Sequence, residues 1–270
     1  MLNMDCVRRI VVKVGSSTLT HPNGKLNIRR IEHLVRCICD LRNRGYEMVL
    51  VSSGAIAVGA NKMGLAERPK TLAMKQAAAA VGQCELMHIY DKMFLEYGIT
   101  VAQMLLTRHD IVEGSRRDNI QNTFDALLQC GNVPIVNEND SVAIEEVEAL
   151  ESFGDNDTLS AVVARLCQSD LLVIFTDMDG LFDSDPRKNP QAKLIPAVHT
   201  IDHKLRRVAG GAGTANGTGG MATKLGAAEL CMDAGIPMLV TNGESPENLY
   251  EIVDGKQIGT LFCRKGALTT

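Results

Sequence analysis

The chain has 270 residues, of which 45% are hydrophobic, so it can bury either one large core or two smaller ones. Its 28 basic and 32 acidic residues leave a net charge of −4, which argues against general binding to nucleic acid or to a membrane surface. Eight scattered cysteines without a C-x-x-C pair indicate reduced thiols in the core of a cytoplasmic protein and argue against a zinc site. No stretch approaches the ~18 apolar residues of a membrane-spanning helix, and the first residues hold no apolar signal core, so neither export nor membrane insertion is expected.

Residues 10–14 form a run of β-branched side chains that Lys13 interrupts. Such a run predicts a buried strand of a parallel sheet, in which both faces are covered. A lysine there is costly to bury unless it lies at the carboxyl end of the strand, where open α/β sheets bind their ligands, and meets an anion. Gly15 then lets the backbone approach that anion and offers an amide donor. The alternative is a lysine that extends from a sheet edge into water.

A helix and a second buried strand follow at residues 27–44 and 47–52. Together with the first strand they predict a right-handed βαβ unit. The small residues that begin with Ser53 and Gly54 suit a loop and helix start placed close to a ligand. Residues 71–97 then predict a long helix whose face of small residues permits close packing against another helix, including one across a subunit boundary.

Two further strands are predicted at residues 99–106 and 133–137, with a helix at 119–130 between them. The second of these strands ends in Asn-Glu-Asn-Asp, from Asn137 to Asp140. Polar residues at the carboxyl end of a parallel strand are expected at a ligand site rather than in a core.

Residues 141–153 are rich in glutamate and predict an exposed acidic excursion from the fold. They lead into Gly-Asp-Asn-Asp, which ends with Asn156 and Asp157, and then into a helix at residues 158–167 and a strand at 171–176.

Four aspartates, at positions 177, 179, 183 and 185, follow the strand that ends at Thr176. They do not match a calcium-binding EF-hand loop, because Leu181 stands where an oxygen ligand is required and Gly180 comes too early. The pattern instead predicts turns, with Asp177 at the strand end as the one ligand candidate.

A glycine-rich loop at residues 210–220 precedes a helix predicted at 221–234. Such a loop at a helix N-terminus supplies free amides and the positive end of the helix dipole, which suit a polyphosphate, and Lys224 adds a full charge. The loop is not a Walker A motif, because Thr223 stands where a glycine should precede the lysine. Residues 217–222 fit G-x-G-x-x-A, but no strand precedes them, so a dinucleotide site is weakly supported. A disordered surface loop is the alternative.

Strands at residues 237–241 and 260–262, with a short helix between them, close the chain. Neither a repeat nor a linker is evident. We therefore predict one α/β domain over residues 1–270, with helices on both faces of a mostly parallel sheet.

The predicted strand ends and the glycine loop contribute two lysines, backbone amides and several acids and amides. This combination suits phosphoryl transfer, in which catalysis is mostly positioning and neutralisation of charge. No residue resembles the catalytic base of a kinase that acts on hydroxyl groups. That absence is expected if the acceptor is a carboxylate, which has an ordinary pKa near ~4.3 and is already an anion at neutral pH. Two lysines and Mg²⁺ would relieve the repulsion between this carboxylate and the phosphate.

Six motifs occur in the order IVVKVGSS, SSGAIAVG, NEND, GDNDTLSA, TD and TGGMATK. In this order they resemble the glutamate 5-kinase family of the amino acid kinase superfamily, over essentially the whole chain from about Arg9 to Phe262. The resemblance implies a three-layer αβα sandwich around a central, mainly parallel sheet. It also implies ATP-dependent phosphorylation of the γ-carboxylate of L-glutamate to L-glutamyl 5-phosphate, the first step of proline biosynthesis.

The resemblance further implies roles for the matched residues. Lys13 and Lys224 are expected to flank the transferring phosphoryl group, and Asp157 to hold these lysines in place. Glutamate binding is implied for Ser53, Gly54, Asn137, Asp140 and Asn156. ATP binding is implied for Lys13, Gly15, Thr176, Asp177, Thr218, Gly219, Gly220, Met221, Ala222, Thr223 and Lys224. Mg²⁺ is expected to bridge the phosphates without a direct protein carboxylate.

Many members of this family continue into an RNA-binding-like PUA domain, whereas this chain stops eight residues after Phe262, so functions tied to that domain are not expected. The acidic segment at 141–153 is longer than usual, and in relatives this region borders the glutamate site and takes part in feedback inhibition by L-proline. A homo-oligomer, either a dimer or a tetramer, is expected. Two alternatives stay open: a kinase of the superfamily that acts on aspartate, acetylglutamate or UMP, and a non-catalytic nucleotide-binding sensor.

Overall fold

A computed structural model describes residues 3–111, 114–142, 155–209 and 220–264 of the chain. Within these ranges the strands are β1 (Arg9–Lys13), β2 (Glu47–Val51), β3 (Val101–Leu106), β4 (Val133–Glu138), β5 (Leu171–Thr176), β6 (Ala197–Val198), β7 (Met238–Asn242) and β8 (Thr260–Phe262). The α-helices are α1 (Ser16–Leu19), α2 (Ile28–Asn43), α3 (Ala55–Lys62), α4 (Leu72–Leu95), α5 (Arg108–Ile111), α6 (Ser115–Gln129), α7 (Asn156–Leu166), α8 (His203–Ala209), α9 (Met221–Asp233) and α10 (Asn248–Val253). A 3-10 helix, Met4–Cys6, precedes β1.

The eight described strands form one sheet in the order β3-β4-β2-β1-β5-β7-β8-β6. Neighbouring strands from β3 across to β7 are parallel, whereas β8 runs antiparallel to β7, and β6 is parallel to β8. Six strands therefore end at the same edge of the sheet, which we call the carboxyl edge. Lys13 ends the central strand β1 at this edge, because β1 pairs with β2 on one side and β5 on the other.

Helices cover both faces of the sheet, so the predicted three-layer αβα sandwich is confirmed. Ile10 and Val12 of β1 pack into a core with side chains of α2, α4 and α10, whereas Val11 packs into the opposite core with side chains of α6, α7 and α9. Successive side chains of a strand point to opposite faces. Lys13 follows the same alternation as Val11, so its side chain is directed to the layer of α7 and α9.

Helices α3 and α4 pack so closely that glycine is required at their contact. A Cβ atom on Gly59 would lie 1.7 Å from the carbonyl oxygen of Ala78, and one on Gly82 would lie 1.8 Å from that of Ala55. The face of small residues predicted for residues 71–97 is therefore used, in part, for contact with α3 of the same chain. The close packing fixes the distance of α4 from the sheet. It places Gln83, which follows Gly82, beside the carboxyl edge.

Most predicted elements are present with small shifts of their ends. Asn27 caps α2, since its Oδ1 accepts a hydrogen bond from the backbone N–H of Arg30 at 3.2 Å. The short helices α1, α5 and α8 and the two-residue β6 were not predicted, because they are too short for a periodic pattern to show. Most of the predicted acidic excursion, and the glycine loop at 210–219, lie outside the described residues.

All eight cysteines are free thiols, and five of them are buried. The prediction that they are core residues is wrong for Cys6, Cys84 and Cys130, which are exposed. Across the described ranges, none of the helices combines the length and the apolar character needed to cross a membrane.

Candidate active site

The carboxylate of Asp157 lies at the centre of the site, in the first turn of α7 at the carboxyl edge. The side chain of Asp155 caps this helix, because its Oδ1 accepts hydrogen bonds from the backbone N–H groups of Asp157 at 2.8 Å and Thr158 at 2.9 Å. A capped first turn has a fixed orientation, and it directs Asp157 beneath the end of β1, where only 1% of the residue is exposed.

Two lysines from distant parts of the chain meet on this carboxylate. The Nζ atom of Lys13 lies 2.6 Å from Oδ1 of Asp157, and the Nζ atom of Lys224 lies 3.1 Å from Oδ2. Both lysine side chains are buried. The hydroxyl of Thr223 also lies 2.7 Å from Oδ2, within hydrogen-bond distance as a donor. The predicted grouping of Lys13, Lys224 and Asp157 is therefore present in the structure.

This buried group carries one negative and two positive charges. Burial by itself would raise the pKa of Asp157, but the charges of Lys13 and Lys224 outweigh it and hold that pKa at about 2, below the ordinary value of 3.8. Asp157 is therefore ionised at neutral pH and neutralises one of the two lysines. The excess positive charge, removed from water, is best balanced by an anion that arrives at the carboxyl edge.

Backbone amides near the lysines can add to the binding of such an anion. Helix α9 begins after Gly220, and no side chain caps its N-terminus. The backbone N–H groups of its first turn, including those of Met221 and Ala222, are therefore available to bind an anion. A Cβ atom on Gly15 would lie 3.7 Å from the Nζ atom of Lys13, so this glycine keeps the space beside the lysine open. Gly54, which precedes α3, has φ 91°, a conformation that favours glycine.

A row of side-chain amides begins next to Asp157 and leads away from the lysines. The Nδ2 atom of Asn156 lies 2.9 Å from the carbonyl oxygen of Ser52, 2.6 Å from Oγ of Ser53 and 3.1 Å from Oδ1 of Asn137. The Nδ2 atom of Asn137 in turn donates to Oε1 of Gln83 at 2.9 Å. Three of the residues predicted to bind glutamate, Ser53, Asn137 and Asn156, are thus joined by hydrogen bonds.

A cavity of about 360 Å³ adjoins this row. Its walls include Gln83, Glu138, Asp140 and small side chains such as Ala55 and Ala79. Burial, together with the carboxylate of Glu138, raises the pKa of Asp140 from 3.8 to about 6. A cation placed in this cavity would bind Asp140 and restore its ionised form.

The residues predicted on the nucleotide side are only partly described. Thr176 donates from its hydroxyl to Oδ1 of Asp177 at 3.1 Å, and Oδ2 of Asp177 accepts from Arg187 at 2.8 Å. Both lie at the end of β5, beside β1 at the carboxyl edge, and neither bonds to the lysines. Thr218 and Gly219 lie outside the described residues.

Sequence reasoning missed Gln83, although a signal was present. It is the one amide side chain in a stretch of α4 that otherwise holds alanine, valine, glycine and cysteine, and a polar residue on a buried helix face usually has a partner. The direct bond from Thr223 to Asp157 was also not foreseen, because Thr223 was assigned to the nucleotide alone.

Comparison with known proteins shows the family to which the chain belongs. The family model described as the amino acid kinase family matches residues 8–242, so the chain belongs to the amino acid kinase family. It is 54% identical over 259 residues to the glutamate 5-kinase of Clostridium perfringens, an alignment that covers 96% of each chain. It is 50% identical over 258 residues to the glutamate 5-kinase of Listeria monocytogenes, covering 96% of this chain and 94% of that one. Within the family, the chain therefore belongs with the glutamate 5-kinases.

Some relatives are longer. The glutamate 5-kinase of Carboxydothermus hydrogenoformans is 52% identical over 260 residues, which cover 96% of this chain and 68% of that protein. Solved structures share the fold at low identity. T. acidophilum isopentenyl phosphate kinase has a TM-score of 0.64 at 18% identity, covering 95% of this chain and 100% of that one, and UMP kinase from Bacillus anthracis has a TM-score of 0.61 at 18% identity, covering 96% and 97%. These two likenesses bear on the fold alone.

Removing the charge of Asp157 should destabilise the protein, because two buried ammonium groups then lose their counter-charge. We expect Asp157→Asn to lower the free energy of unfolding in urea at pH 7 by roughly 3 kcal/mol, on the scale of breaking a buried ion pair. Thr223→Val, which removes one hydroxyl from the same carboxylate, should cost only about 1 kcal/mol.

The pH dependence of this loss has a defined sign. Because the pKa of Asp157 is depressed from 3.8 to about 2, its contribution is present above pH 3.8 and is lost as the pH falls through 2. The stability difference between the unsubstituted protein and Asp157→Asn should therefore shrink over that interval. A difference that does not change with pH, or equal losses in the two variants, would contradict the assignment.

Proposed function

We propose that this protein transfers the γ-phosphoryl group of ATP to the γ-carboxylate of L-glutamate, giving L-glutamyl 5-phosphate and ADP, the first step of proline biosynthesis. The observation that carries the proposal is the pair of lysines held on Asp157 at the carboxyl edge, one residue away from the amide row that begins at Asn156. A cationic centre for phosphate therefore adjoins a cavity of about 360 Å³ whose lining includes amide and carboxylate side chains.

The reaction needs charge neutralisation more than proton transfer. A γ-carboxylate oxygen of glutamate forms a bond to the γ-phosphorus while the bond from that phosphorus to the β,γ-bridging oxygen breaks, and ADP leaves with the electron pair. The attacking carboxylate is already ionised at neutral pH, so no general base is required. Lys13 and Lys224 offset the negative charge of the equatorial phosphate oxygens, and Asp157 fixes the position of both ammonium groups.

The far end of the substrate has its own partners. Asp140 lies in the cavity beside the amide row and can accept the α-ammonium group of an amino acid. All three contacts of Asn156 with Ser52, Ser53 and Asn137 are made through its Nδ2 atom, which leaves its Oδ1 as a second acceptor. These acceptors support an amino acid, rather than a nucleotide, as the phosphoryl acceptor.

The nucleotide is proposed to bind on the side of Gly15, Thr176, Asp177 and the first turn of α9. Within the described part of the chain, no group of three or more His, Cys, Asp or Glu side chains could hold a metal ion, and Asp157 is already bound by two lysines. This donor set fits a Mg²⁺ ion held mainly by phosphate oxygens, as is common for nucleotide-bound Mg²⁺. When bound, the ion supplies further neutralisation of phosphate charge.

Other expectations stay predictions. They are a homo-oligomeric state, inhibition by L-proline, a cytoplasmic location and a single-domain organisation over residues 1–270.

A hydroxamate assay tests the proposed function directly. With L-glutamate, ATP and Mg²⁺, the acyl phosphate product is trapped by hydroxylamine, and we expect hydroxamate in amounts that match the ADP released. L-aspartate, N-acetyl-L-glutamate and UMP serve as alternative acceptors, with ADP release as the readout. Faster turnover with any of these than with L-glutamate, or no turnover at all, would overturn the proposal.

Asp140 gives a second prediction. Because its pKa in the free protein is raised to about 6, the carboxyl is increasingly protonated below that pH and loses its attraction for an ammonium group. We expect the KM for L-glutamate to rise about tenfold between pH 7.5 and pH 5 while the KM for ATP changes little. Asp140→Asn should raise the KM for L-glutamate by about 10 to 100-fold at pH 7.5, on the scale of losing a hydrogen bond to a charged group, and should flatten this part of the pH profile.

The surface variant Asp118→Asn, which removes the same charge from an exposed position of α6, is the matched control and should change neither KM. If Asp140→Asn retained the pH dependence of the unsubstituted protein, Asp140 would not be the group that titrates.

A further inference from the structure

Gln83 is the last member of the amide row, in which it accepts one hydrogen bond from Asn137. We infer that Gln83 contacts the substrate and selects it, by donating a hydrogen bond from its Nε2 atom to the α-carboxylate of L-glutamate. This inference rests on the proposed function and adds a specificity-determining residue to it.

The orientation of the row follows from one backbone carbonyl. The oxygen of Ser52 can only accept, so the Asn156 atom 2.9 Å away must be the nitrogen Nδ2. That nitrogen has two hydrogens and also lies 2.6 Å from Oγ of Ser53, so it shares them among three acceptors. The Asn137 atom 3.1 Å away is Oδ1, because its Nδ2 in that place would set two NH₂ groups against each other. Asn137 therefore turns its Nδ2 towards Gln83, and the Gln83 atom at 2.9 Å must be the acceptor Oε1. Each amide orientation thus follows from that of its neighbour, as the arrangement in which no two donors face each other.

The row leaves the two hydrogens of Gln83 Nε2 without a partner among the residues that the structure describes. Gln83 is only 9% exposed, so water cannot surround its amide as it would on an open surface. The side chain lines the cavity of about 360 Å³ that also contains Asp140. Among the described side chains, only Oγ of Ser169 is a fully buried polar atom without a partner, so Nε2 of Gln83 opens onto the cavity and can donate to an acceptor on a ligand there.

The position of the row indicates which end of the substrate Gln83 meets. Lys13 ends β1 and Asn137 lies near the end of β4, with β2 between these strands. Adjacent strands lie about 4.8 Å apart, so Asn137 is on the order of 10 Å from the strand of Lys13, and Gln83 lies beyond it. With the γ-carboxylate at the lysines, an extended five-carbon acid directs its α-carbon and the groups on it towards this far end.

The described lining of the cavity offers no cationic side chain to an α-carboxylate, so a neutral hydrogen-bond donor has to bind it. None of the described residues that line it is a lysine or an arginine, whereas Glu138 and Asp140 are acids. Gln103 and Asn139 also line it with amide groups, but both are more exposed than Gln83, and neither is held in the row. Gln83 therefore supplies a donor for the carboxylate while Asp140 accepts from the neighbouring ammonium group.

Gln83→Glu tests this inference, because it keeps the oxygen that accepts from Asn137 and replaces only the donor end with an oxygen. At pH 8 we expect the KM for L-glutamate to rise about 100-fold, since a donor to a charged group is replaced by a like charge. The comparison ligand is L-isoglutamine, in which the α-carboxylate is a carboxamide. Its inhibition constant against L-glutamate can be measured whether or not it turns over, and should change less than about tenfold, because its amide can donate to the new carboxylate.

Gln83→Met provides a second variant that adds no charge. It should weaken the binding of L-glutamate more than that of L-isoglutamine. The loss for L-glutamate should be smaller than the loss that Gln83→Glu causes. The matched control is Gln129→Glu, which adds the same charge at an exposed position at the end of α6 and should alter neither constant. The KM for ATP should stay within about twofold in every variant.

The outcomes separate this inference from the function on which it rests. If Gln83→Glu and Gln83→Met weakened the binding of both ligands equally, Gln83 would act only through Asn137. That result would overturn the inference but not the kinase activity. Unchanged constants in both variants would overturn it as well. Absence of glutamate phosphorylation by the unsubstituted protein would overturn the proposed function, and this inference with it.

Discussion

The site depends on one carboxylate that holds two ammonium groups. Asp157 is almost completely buried, and without it Lys13 and Lys224 would repel each other at the end of a strand and the start of a helix. Coulomb repulsion between two cations a few ångströms apart is severe where water is excluded. One carboxylate cancels half of the positive charge, fixes both lysines and leaves a net charge for the anion that the site receives.

The fold makes this arrangement possible because the three residues come from different elements that converge at the carboxyl edge. Lys13 ends the central strand β1, and the alternation of side chains along that strand directs it to the layer of α7 and α9. Helix α7 brings Asp157 and Asn156 in its first turn, so the phosphate centre and the amide row share one helix start. On the opposite face, the contact between Gly59 and Gly82 brings α4 close enough for Gln83 to reach Asn137. Both layers thus contribute to one site above the sheet edge.

Much of this could be predicted from the sequence, for physical reasons that differ between residues. Lys13 is conspicuous because a charge interrupts a buried β-branched run, and Lys224 because it follows a glycine loop at a helix start. Asp157, in contrast, is one of several acids near strand ends, and only the resemblance to a known family gave it a particular role. The amide row could not be predicted, because its orientation depends on contacts among α4, β4 and α7 that are distant in sequence. The raised pKa of Asp140 likewise arises from burial and from Glu138 in the folded cavity.

The proposed mechanism requires that the two lysines stabilise the transferring phosphoryl group more than they bind ground-state ATP. The most direct measurement compares the affinity for ADP, Mg²⁺, L-glutamate and aluminium fluoride, which together mimic the transition state, with the affinity for a non-hydrolysable ATP analogue. Lys13→Gln and Lys224→Gln should lower the affinity for the transition-state mimic about 100-fold or more. They should lower the affinity for the ATP analogue less than about tenfold. Lys92→Gln, at an exposed position of α4, should change neither. Equal weakening of both ligands by the lysine variants would contradict the account.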